Sequence, residues 1–333
     1  MVPPEVALIE SSLGVVDTKA LQVVADLGVA DHLATTPMTA DELARACGAE
    51  PDALARILRY LVGRGYFQRR RDGQFANNRR SALLRADETG RAWARFFGSQ
   101  WHVAIWNRLD HSARTGGSAA EAALGRPFWE YVTEADPNAG ATFDAAMESV
   151  SSVQMGVIAR KYGWQACERV CDVGGGTGTL LSAVLTAHPH LHGVLFDLPS
   201  VVAKSAPVLA PAGVAERVEV VGGDFFAAVP EGCDRYLLQA IVHDWDDESC
   251  VRFLSRCREA MTGDGRVLVL EAILPTHDGD HFTKALDLEM LVDTGAGRER
   301  TREEYDTLFT TAGLRIRKTI PIALTTMFEL ERA

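Results

Sequence analysis

A run of glycines beside an aspartate is the first feature of this sequence that could bind a ligand. Asp172-Val173-Gly174-Gly175-Gly176-Thr177-Gly178 follows an apolar segment typical of a buried strand and precedes a predicted helix. Glycines let the backbone turn tightly and approach a ligand without a Cβ clash. The helix start adds free N–H groups and a positive dipole end. The segment therefore predicts a ligand-binding turn at the end of a strand.

A second acidic residue, Asp197, follows the next predicted strand. A carboxylate at that position can bind both hydroxyls of a ribose. A nicotinamide dinucleotide site would use the same combination, but these glycines lack the G-x-G-x-x-G spacing of such sites. A single nucleoside therefore fits the pattern better, and a nicotinamide dehydrogenase is kept as an alternative.

The ends of the third and fourth predicted strands carry further polar and aromatic residues. Asp224 and Phe225 offer a carboxylate that can accept from an adenine amine and a ring on which the base can stack. The fourth strand leads into Gln239, His243 and Asp244. Because the ordinary pKa of histidine lies close to neutral, His243 is a candidate acid or base.

The C-terminal half has an alternating pattern that positions these residues. Five segments are predicted as strands, at 169–173, 193–196, 217–221, 236–242 and 266–273. Helices are predicted after Gly178, after Pro199 and from Asp246, and again at 284–292 and 301–312, followed by strands at 314–318 and 322–330. Such alternation implies an α/β fold with a parallel sheet that binds ligands at the carboxyl ends of its strands.

The N-terminal third has the order helix, helix, hairpin of a winged-helix module. Thr39 and Glu42 form a capping box, Pro51 suits the first turn of the second helix, and Asp72-Gly73 suits a hairpin turn. Residues 89–162 are again predicted to be helical, with one helix over 89–113 and a long one over 137–162. The chain is therefore expected to be helical before it becomes α/β.

A winged helix raises a DNA-binding regulator as an alternative function. A helix that reads DNA presents several Arg, Lys, Asn or Gln side chains to the groove. Residues 51–63 offer only Arg56 and Arg59. A dimerisation or packing module is the favoured interpretation.

Composition excludes several classes of protein. The chain has 333 residues, which predicts two domains, and a net charge of −11, which argues against a general nucleic-acid or anionic-membrane binder. It has no apolar run of membrane-spanning length, and its first residues do not resemble a secretion signal. Its six cysteines include no C-x-x-C pair, which suits the reducing cytoplasm.

Four ordered motifs together resemble a known family. Asp172–Gly178, Phe196-Asp197-Leu198-Pro199, Gly223–Phe226 and His243-Asp244-Trp245 are similar to those of the S-adenosylmethionine-dependent small-molecule O-methyltransferases. This family includes plant caffeate-type enzymes and bacterial enzymes that tailor polyketides and other natural products. The resemblance implies a Rossmann-like class I methyltransferase sheet of seven strands, S-adenosyl-L-methionine as cofactor, no metal, no membrane or nucleic-acid partner, and a homodimer formed by the N-terminal domain.

The resemblance also implies a division of the chain and a set of roles. Residues 1–100 would be the winged-helix dimerisation domain, 101–165 a helical linker that contributes to the substrate pocket, and 166–333 the catalytic domain. His243 matches the catalytic base, and Glu271 and Glu299 match the two acids that flank it. The expected substrate is a phenolic hydroxyl of an aromatic, polycyclic natural product.

Two further sets of residues match positions that contact small molecules in the family. The cofactor contacts would be Ser151, Asp172, Gly174, Gly175, Gly176, Asp197, Leu198, Asp224, Phe225 and Gln239. The acceptor contacts would be Phe143, Met147, Asp244, Met290 and Thr294. Gln239 stands where many relatives have Lys or Ser.

Two alternatives to this chemistry stay open. A relative with the same fold and cofactor could act as a hydroxylase or decarboxylase, although such members tend to lack the histidine. Asp244, Asp246, Asp247 and Glu248 could suggest a divalent metal site. Acids in the first turn of a helix complement its dipole, which is the favoured explanation of this acidic run.

Overall fold

The structure, a computed structural model, describes residues 3–333, except for the side chains of residues 150–153. The chain forms two compact units, Met1–Ala104 with Asn138–Val150 and Ile105–Pro137 with Ser151–Ala333. The segment predicted as a linker, residues 101–165, is divided between these units.

The first unit contains the predicted winged-helix order. Its helices are α1 (Pro4–Ser12), α2 (Gly14–Asp26), α3 (Val29–His32), α4 (Ala40–Cys47), α5 (Pro51–Gly63), α6 (Gly90–Gly98) and most of α7 (Gln100–Trp106). A short hairpin follows α5, formed by β1 (Gln68–Arg69) and β2 (Phe75–Ala76). The capping box of Thr39 and Glu42 is present, and α5 begins at Pro51 as predicted.

The first unit buries the apolar stripes of its helices in one core. Leu54, Leu58 and Leu61 of α5 are each 1% exposed or less and pack with Val24 of α2 and Phe75 of β2. This stripe has the spacing of three and four residues that places side chains on one face of a helix. The short hairpin is therefore held by the core of the helices.

The second unit contains the remaining helices. They are α8 (Leu109–Thr115), α9 (Ala119–Leu124), α10 (Phe128–Glu130), part of α11 (Pro137–Lys161), α12 (Thr179–Ala187), α13 (Pro199–Val202), α14 (Ala206–Leu209), α15 (Asp247–Ala260), α16 (Phe282–Asp293) and α17 (Arg302–Thr311). Among the helices of the described residues, none combines the length and the apolar character needed to cross a bilayer.

The single helix predicted over 89–113 is wrong, because the chain there forms α6, α7 and α8. The first break falls at Ser99, whose backbone is extended and whose hydroxyl accepts from His102 N–H at 3.3 Å. Ser99 therefore caps the start of a new helix, a role that serine favours. Helical periodicity alone did not reveal this break.

A mixed sheet of seven strands forms the centre of the second unit. Its strands are β3 (Arg169–Val173), β4 (His192–Asp197), β5 (Val218–Gly222), β6 (Arg235–Gln239), β7 (Arg266–Glu271), β8 (Leu314–Ile322) and β9 (Thr325–Arg332). Their order is β5-β4-β3-β6-β7-β9-β8. The strands from β3 to β7 pair in parallel, and β9 pairs antiparallel with β7 and β8. The predicted seven-stranded class I methyltransferase sheet is confirmed.

The strand order reverses at β3, which lies between β4 and β6. Open α/β sheets bind ligands outside the carboxyl ends of their strands at such a reversal. The two faces of the sheet carry separate apolar cores, one containing Phe253 and Phe328 and the other Leu181 and Leu268. The sheet is thus a rigid platform for the loops at its carboxyl edge.

Strand β6 is shorter than predicted. It ends at Gln239 instead of Val242, because Ala240 adopts a left-handed backbone with φ of 54°. That conformation is unfavourable for a residue with a Cβ and interrupts an extended strand. The chain then forms a 3-10 turn over Val242–Asp244, which presents His243.

Candidate active site

The glycine turn after β3 has the tight backbone that its sequence predicts. Gly174 and Gly176 have φ of 69° and 60°. The N–H of Gly174 donates to the carbonyl of Phe196 at 2.8 Å, which joins the turn to β4. A Cβ on Gly174 would lie 2.5 Å from Ile241 Cδ1, whereas one on Gly176 would meet no atom of the described residues within 4 Å. The space above Gly176 is therefore open.

Asp197 is hydrogen-bonded to the glycine turn. Its carboxylate accepts from the N–H of Gly176 at 2.8 Å and from the N–H of Leu198 at 2.6 Å. Burial raises the pKa of Asp197, and these two N–H bonds oppose that effect. The turn and the acidic residue of the next strand therefore form one site.

Asp172 lies beneath the turn and is 2% exposed. Its Oδ2 has no hydrogen-bond partner among the described residues. Burial, with the nearby charge of Asp197, raises its pKa to about 7. A buried carboxyl oxygen without a donor is costly, so this edge of the sheet has an unused hydrogen-bonding capacity.

The remaining predicted cofactor residues lie at the same edge of the sheet. Phe225 is half-buried, and its ring lies 4.0 Å from the Cβ position of Gly174. Leu198 is 45% exposed, and Asp224 is exposed with its Oδ1 accepting from Phe226 N–H. Gln239 ends β6 and is half-buried. The side chain of Ser151, also predicted to bind the cofactor, falls outside the described part of the chain.

His243 lies among three carboxylates. Its Nδ1 is 3.0 Å from Glu299 Oε1 and 3.4 Å from Glu271 Oε2, and its Nε2 is 3.5 Å from Asp244 Oδ1. Glu271 and Glu299 are each 1% exposed. The structure thus brings together the predicted base and the two predicted flanking acids from three separate parts of the chain.

Glu271 also holds the backbone that presents the histidine. Its Oε1 accepts from the N–H groups of Ile241 and Val242 at 3.0 and 2.7 Å. The strained residue Ala240 precedes these groups. One carboxylate therefore contacts the imidazole and also fixes the turn from which it projects.

The carboxylates set the protonation state of the histidine. Burial alone would lower the pKa of His243, but the charges of Glu271, Asp244 and Glu299 outweigh it and raise that pKa to about 10. Burial raises the pKa of Asp244 to about 7, although the histidine opposes this rise, and burial also raises the pKa of Glu271. An imidazole held in this way binds a proton strongly.

Sequence reasoning did not assign a role to Arg300, which is 1% exposed. Its guanidinium donates to the carbonyl of Val242 at 3.0 Å and to that of Trp245 at 2.8 Å. It also pairs with Asp247 at 2.7 Å. The sequence places Arg300 just before the capped start of α17, but nothing in its local pattern indicates that it is buried against the histidine turn.

The acidic run after His243 starts α15. Asp246 is the cap of this helix, and its Oδ1 accepts from Ser249 N–H at 2.7 Å. Asp247 and Glu248 lie in the first turn. The structure thus gives these acids the helix-stabilising positions expected from the dipole.

The predicted acceptor residues lie in different units. Asp244 adjoins His243, and Met290 and Thr294 lie at the end of α16 in the second unit. The Thr294 hydroxyl donates to the carbonyl of Met290 and accepts from Gly297 N–H at 2.8 Å. Phe143 and Met147 lie on α11 in the first unit, where both are half-buried.

Two family models match the chain. Residues 106–315 match an O-methyltransferase domain, and residues 9–87 match an O-methyltransferase dimerisation domain. Together they span both units of the fold. The resemblance inferred from four short motifs is therefore confirmed over most of the chain.

Two curated relatives illustrate the range of chemistry in similar sequences. The mitomycin biosynthesis 6-O-methyltransferase of Streptomyces lavendulae is 39% identical over 306 residues, 91% of this chain and 87% of the relative. The aclacinomycin 10-hydroxylase RdmB of Streptomyces purpurascens is 36% identical over 315 residues, 92% of this chain and 83% of the relative.

Solved structures agree in fold over nearly the whole chain. The mitomycin 7-O-methyltransferase MmcR has a TM-score of 0.90 and 37% identity, and the match covers 99% of this chain and 98% of that one. The O-methyltransferase NcsB1 from neocarzinostatin biosynthesis, solved with S-adenosylmethionine and 2-hydroxy-5-methyl naphthoic acid, has a TM-score of 0.80 and 38% identity, with 96% of both chains covered. In sequence and in fold, this chain belongs to the O-methyltransferase family.

Proposed function

We propose that this protein is an S-adenosylmethionine-dependent O-methyltransferase that methylates a phenolic hydroxyl of an aromatic natural product, with His243 as the general base. The observation that supports it most is the contact of His243 Nδ1 with two buried carboxylates, Glu299 at 3.0 Å and Glu271 at 3.4 Å. A carboxylate on one ring nitrogen fixes the tautomer and leaves the other nitrogen to take a proton.

The carboxyl edge of the sheet fits the proposed cofactor. The open space above Gly176, the carboxylate of Asp197 and the half-buried ring of Phe225 suit an amino-acid group, a ribose and an adenine. Asp172 adds a buried oxygen that lacks a donor among the described residues. S-adenosylmethionine, when bound, supplies an electrophilic methyl group on a positively charged sulfur.

The proposed work of His243 is to remove the proton of the acceptor. A phenol has a pKa of ~10, so forming its anion at pH 7 costs about 4 kcal/mol, at 1.36 kcal/mol for each pH unit. A positioned base lowers such a barrier and contributes typically ~10²–10⁴ in rate. The pKa of His243, raised to about 10, lies close to that of a phenol, so the proton passes between them with little change in free energy once the imidazole is neutral.

The proposed acceptor is a flat aromatic phenol. One relative described above is named for mitomycin biosynthesis, and NcsB1 was solved with 2-hydroxy-5-methyl naphthoic acid, a hydroxylated aromatic ring system. Asp244, which is 3.5 Å from the base, is proposed to bind a polar group beside the reacting hydroxyl. Met290 and Thr294 are proposed to contact its rings, and acceptor roles for Phe143 and Met147 stay predictions.

A hydroxylase is the second candidate, because a relative of similar identity carries that name. The two reactions give different products from the same phenol. Mass spectrometry of the product separates a methyl gain from an oxygen gain. The histidine held by Glu271 and Glu299 favours the transferase, because methyl transfer to a phenol requires removal of the phenolic proton.

Replacing the base provides the direct test. His243→Gln is expected to bind S-adenosylhomocysteine as the wild type does. Its turnover of a weakly acidic phenol should be about 10²–10⁴-fold slower than that of the wild type. On an electron-poor phenol that is already ionised at neutral pH, the loss should be much smaller, because no base is needed. Calorimetry measures the binding, and mass spectrometry measures the methyl gain.

His192→Gln is the matched control, since His192 is an exposed histidine at the start of β4. It should behave as the wild type with both phenols. Equal losses of His243→Gln on the two phenols would contradict the base assignment. Absence of S-adenosylhomocysteine binding in the wild type would contradict the cofactor.

A further inference from the structure

Arg300 is among the largest fully buried side chains of the described residues, yet the proposed chemistry does not use it. Taking a guanidinium out of water costs several kcal/mol, and apolar side chains often replace buried ion pairs without loss of stability. Its carboxylate partner among the described residues, Asp247, has a side chain that is 66% exposed. Stability alone therefore gives little reason for a buried arginine here.

The guanidinium of Arg300 is directed at the backbone around His243. Nη1 donates to the carbonyl of Val242 at 3.0 Å, and Nη2 donates to the carbonyl of Trp245 at 2.8 Å. These carbonyls lie on either side of His243 in the sequence. The planar guanidinium of arginine, with donors in fixed directions, suits two such bonds at once.

The two residues before Arg300 contact the same turn. The N–H of Arg298 donates to the carbonyl of His243 at 2.8 Å, and Glu299 Oε1 lies 3.0 Å from His243 Nδ1. Residues 298–300 therefore hold the backbone and the side chain of the histidine together. A loss of the backbone contacts would also move the imidazole relative to Glu299.

The turn is held from its other side as well. Glu271 accepts from the N–H groups of Ile241 and Val242, while Arg300 donates to the carbonyls. A negative group at the N–H end and a positive group at the carbonyl end both complement the dipole of a helical turn. Such a short 3-10 turn has poor internal hydrogen-bond geometry and depends on these outside partners.

We propose that Arg300 is a positioning residue for the base: by holding the two carbonyls that flank His243, its guanidinium keeps the imidazole in contact with Glu299 and directed at the acceptor. This inference rests on the proposed role of His243 as base. Misplacing a catalytic group by about 1 Å can cost ~10² in rate, so the effect on turnover should be large.

The test follows the titration of His243 by NMR in full-length protein labelled with ¹⁵N-histidine, with its signal assigned from His243→Gln. Arg300→Met is expected to lower the pH at which His243 titrates, because the imidazole leaves the carboxylate of Glu299. The groups that face it are Glu271, Asp244 and Glu299, with the Tyr305 hydroxyl buried near both glutamates. Loss of the arginine charge alone would raise the pH at which His243 titrates. The direction of the shift therefore separates loss of positioning from loss of charge.

Turnover provides the second readout. Arg300→Met should lower kcat by about 10–100-fold while KM for S-adenosylmethionine changes less than twofold. Arg300→Lys keeps the charge but lacks the planar fork, so it should show the same downward shift in titration and an intermediate kcat. Arg300→Lys also carries the test if the methionine variant does not fold.

Asp247→Asn is the matched control, because it removes the exposed partner of Arg300 and leaves both carbonyl bonds. It should leave the titration and kcat within twofold of the wild type. A folded Arg300→Met or Arg300→Lys with unchanged His243 titration would overturn the proposal. Since the NMR titration needs no turnover, it remains decisive even if His243 proves not to be the base.

Discussion

At the scale of single residues, the proposed base His243 holds its proton unusually tightly. Three carboxylates within 3.5 Å of its ring nitrogens raise its pKa to about 10 against the opposing effect of burial. At pH 7 the protonated imidazolium therefore predominates over the neutral imidazole. The same carboxylates would stabilise the imidazolium that the proposed proton transfer from the acceptor forms.

This protonation state predicts a rate that rises with pH. A base acts only when neutral, so kcat/KM should climb about tenfold per pH unit below the pKa of His243 and level off near pH 10. Glu299→Gln removes one of the charges that raise this pKa, so its profile should level off at lower pH. Initial rates with one phenol across pH 6–11 would measure both profiles.

Glu303→Gln is the control for that comparison, because Glu303 is an exposed glutamate in the first turn of α17. Its profile should follow the wild type. Using one acceptor throughout cancels the ionisation of the phenol itself. Profiles of the wild type and Glu299→Gln that level off at the same pH would contradict the coupling of Glu299 to the base.

At the scale of elements, local sequence was sufficient where one residue type decides the conformation. The structure contains the tight turn predicted from Gly174 and Gly176, the capping box predicted at Thr39, and the α/β sheet predicted from the alternation of strands and helices. Local sequence failed at Ala240 and Ser99. Ala240 has a left-handed backbone although alanine disfavours it, because neighbouring strands and Glu271 impose the turn, and such tertiary effects have no local signal.

The glycine turn allows an element-scale prediction. Gly176 has φ of 60°, and no atom of the described part of the chain lies within 4 Å of its Cβ position, so Gly176→Ala should fold at a cost of about 1–2 kcal/mol for the left-handed backbone. Its new methyl group would enter the space proposed for the cofactor. Affinity for S-adenosylhomocysteine, measured by calorimetry, should fall at least tenfold.

Gly73→Ala separates backbone strain from loss of the site. Gly73, in the turn of the β1–β2 hairpin, has φ of 87° and equally open surroundings. Gly73→Ala should lower the melting temperature by about as much as Gly176→Ala does, and it should leave the affinity for S-adenosylhomocysteine unchanged. Equal affinity in the two variants would show that the space above Gly176 does not receive the cofactor.

At the scale of the whole molecule, the proposed base and the acids that contact it come from distant parts of the chain. His243 follows β6, Glu271 ends β7, and Glu299 follows α16. Their types and the family resemblance indicated a site, but only the sheet order and the 298–300 segment explain how they meet. The burial of Arg300 depends on the same long-range packing, which is why no sequence pattern identified it.

The N-terminal helices carry an apolar surface that a single chain leaves in contact with water. Leu8 and Ile9 of α1 are 70% and 60% exposed, and Leu13 and Val15 beside them are 50% and 58% exposed. Adjacent exposed apolar side chains are a mark of an interaction surface. The dimerisation-domain match over residues 9–87 includes most of this surface.

We therefore propose that the protein is a homodimer that buries this surface, and that Leu8→Glu with Ile9→Glu produces monomers. Two added carboxylates per chain would each have to lose their water in the interface, which costs far more than burial of the leucine and isoleucine gains. Light scattering after gel filtration measures the mass. Leu324→Glu, at a leucine that is 66% exposed in the turn between β8 and β9, should remain dimeric. A monomeric wild type would show that the chain does not form the proposed dimer. A double variant that stays dimeric would place the dimer contact elsewhere on the chain, because a surface that tolerates two buried charges is not an interface.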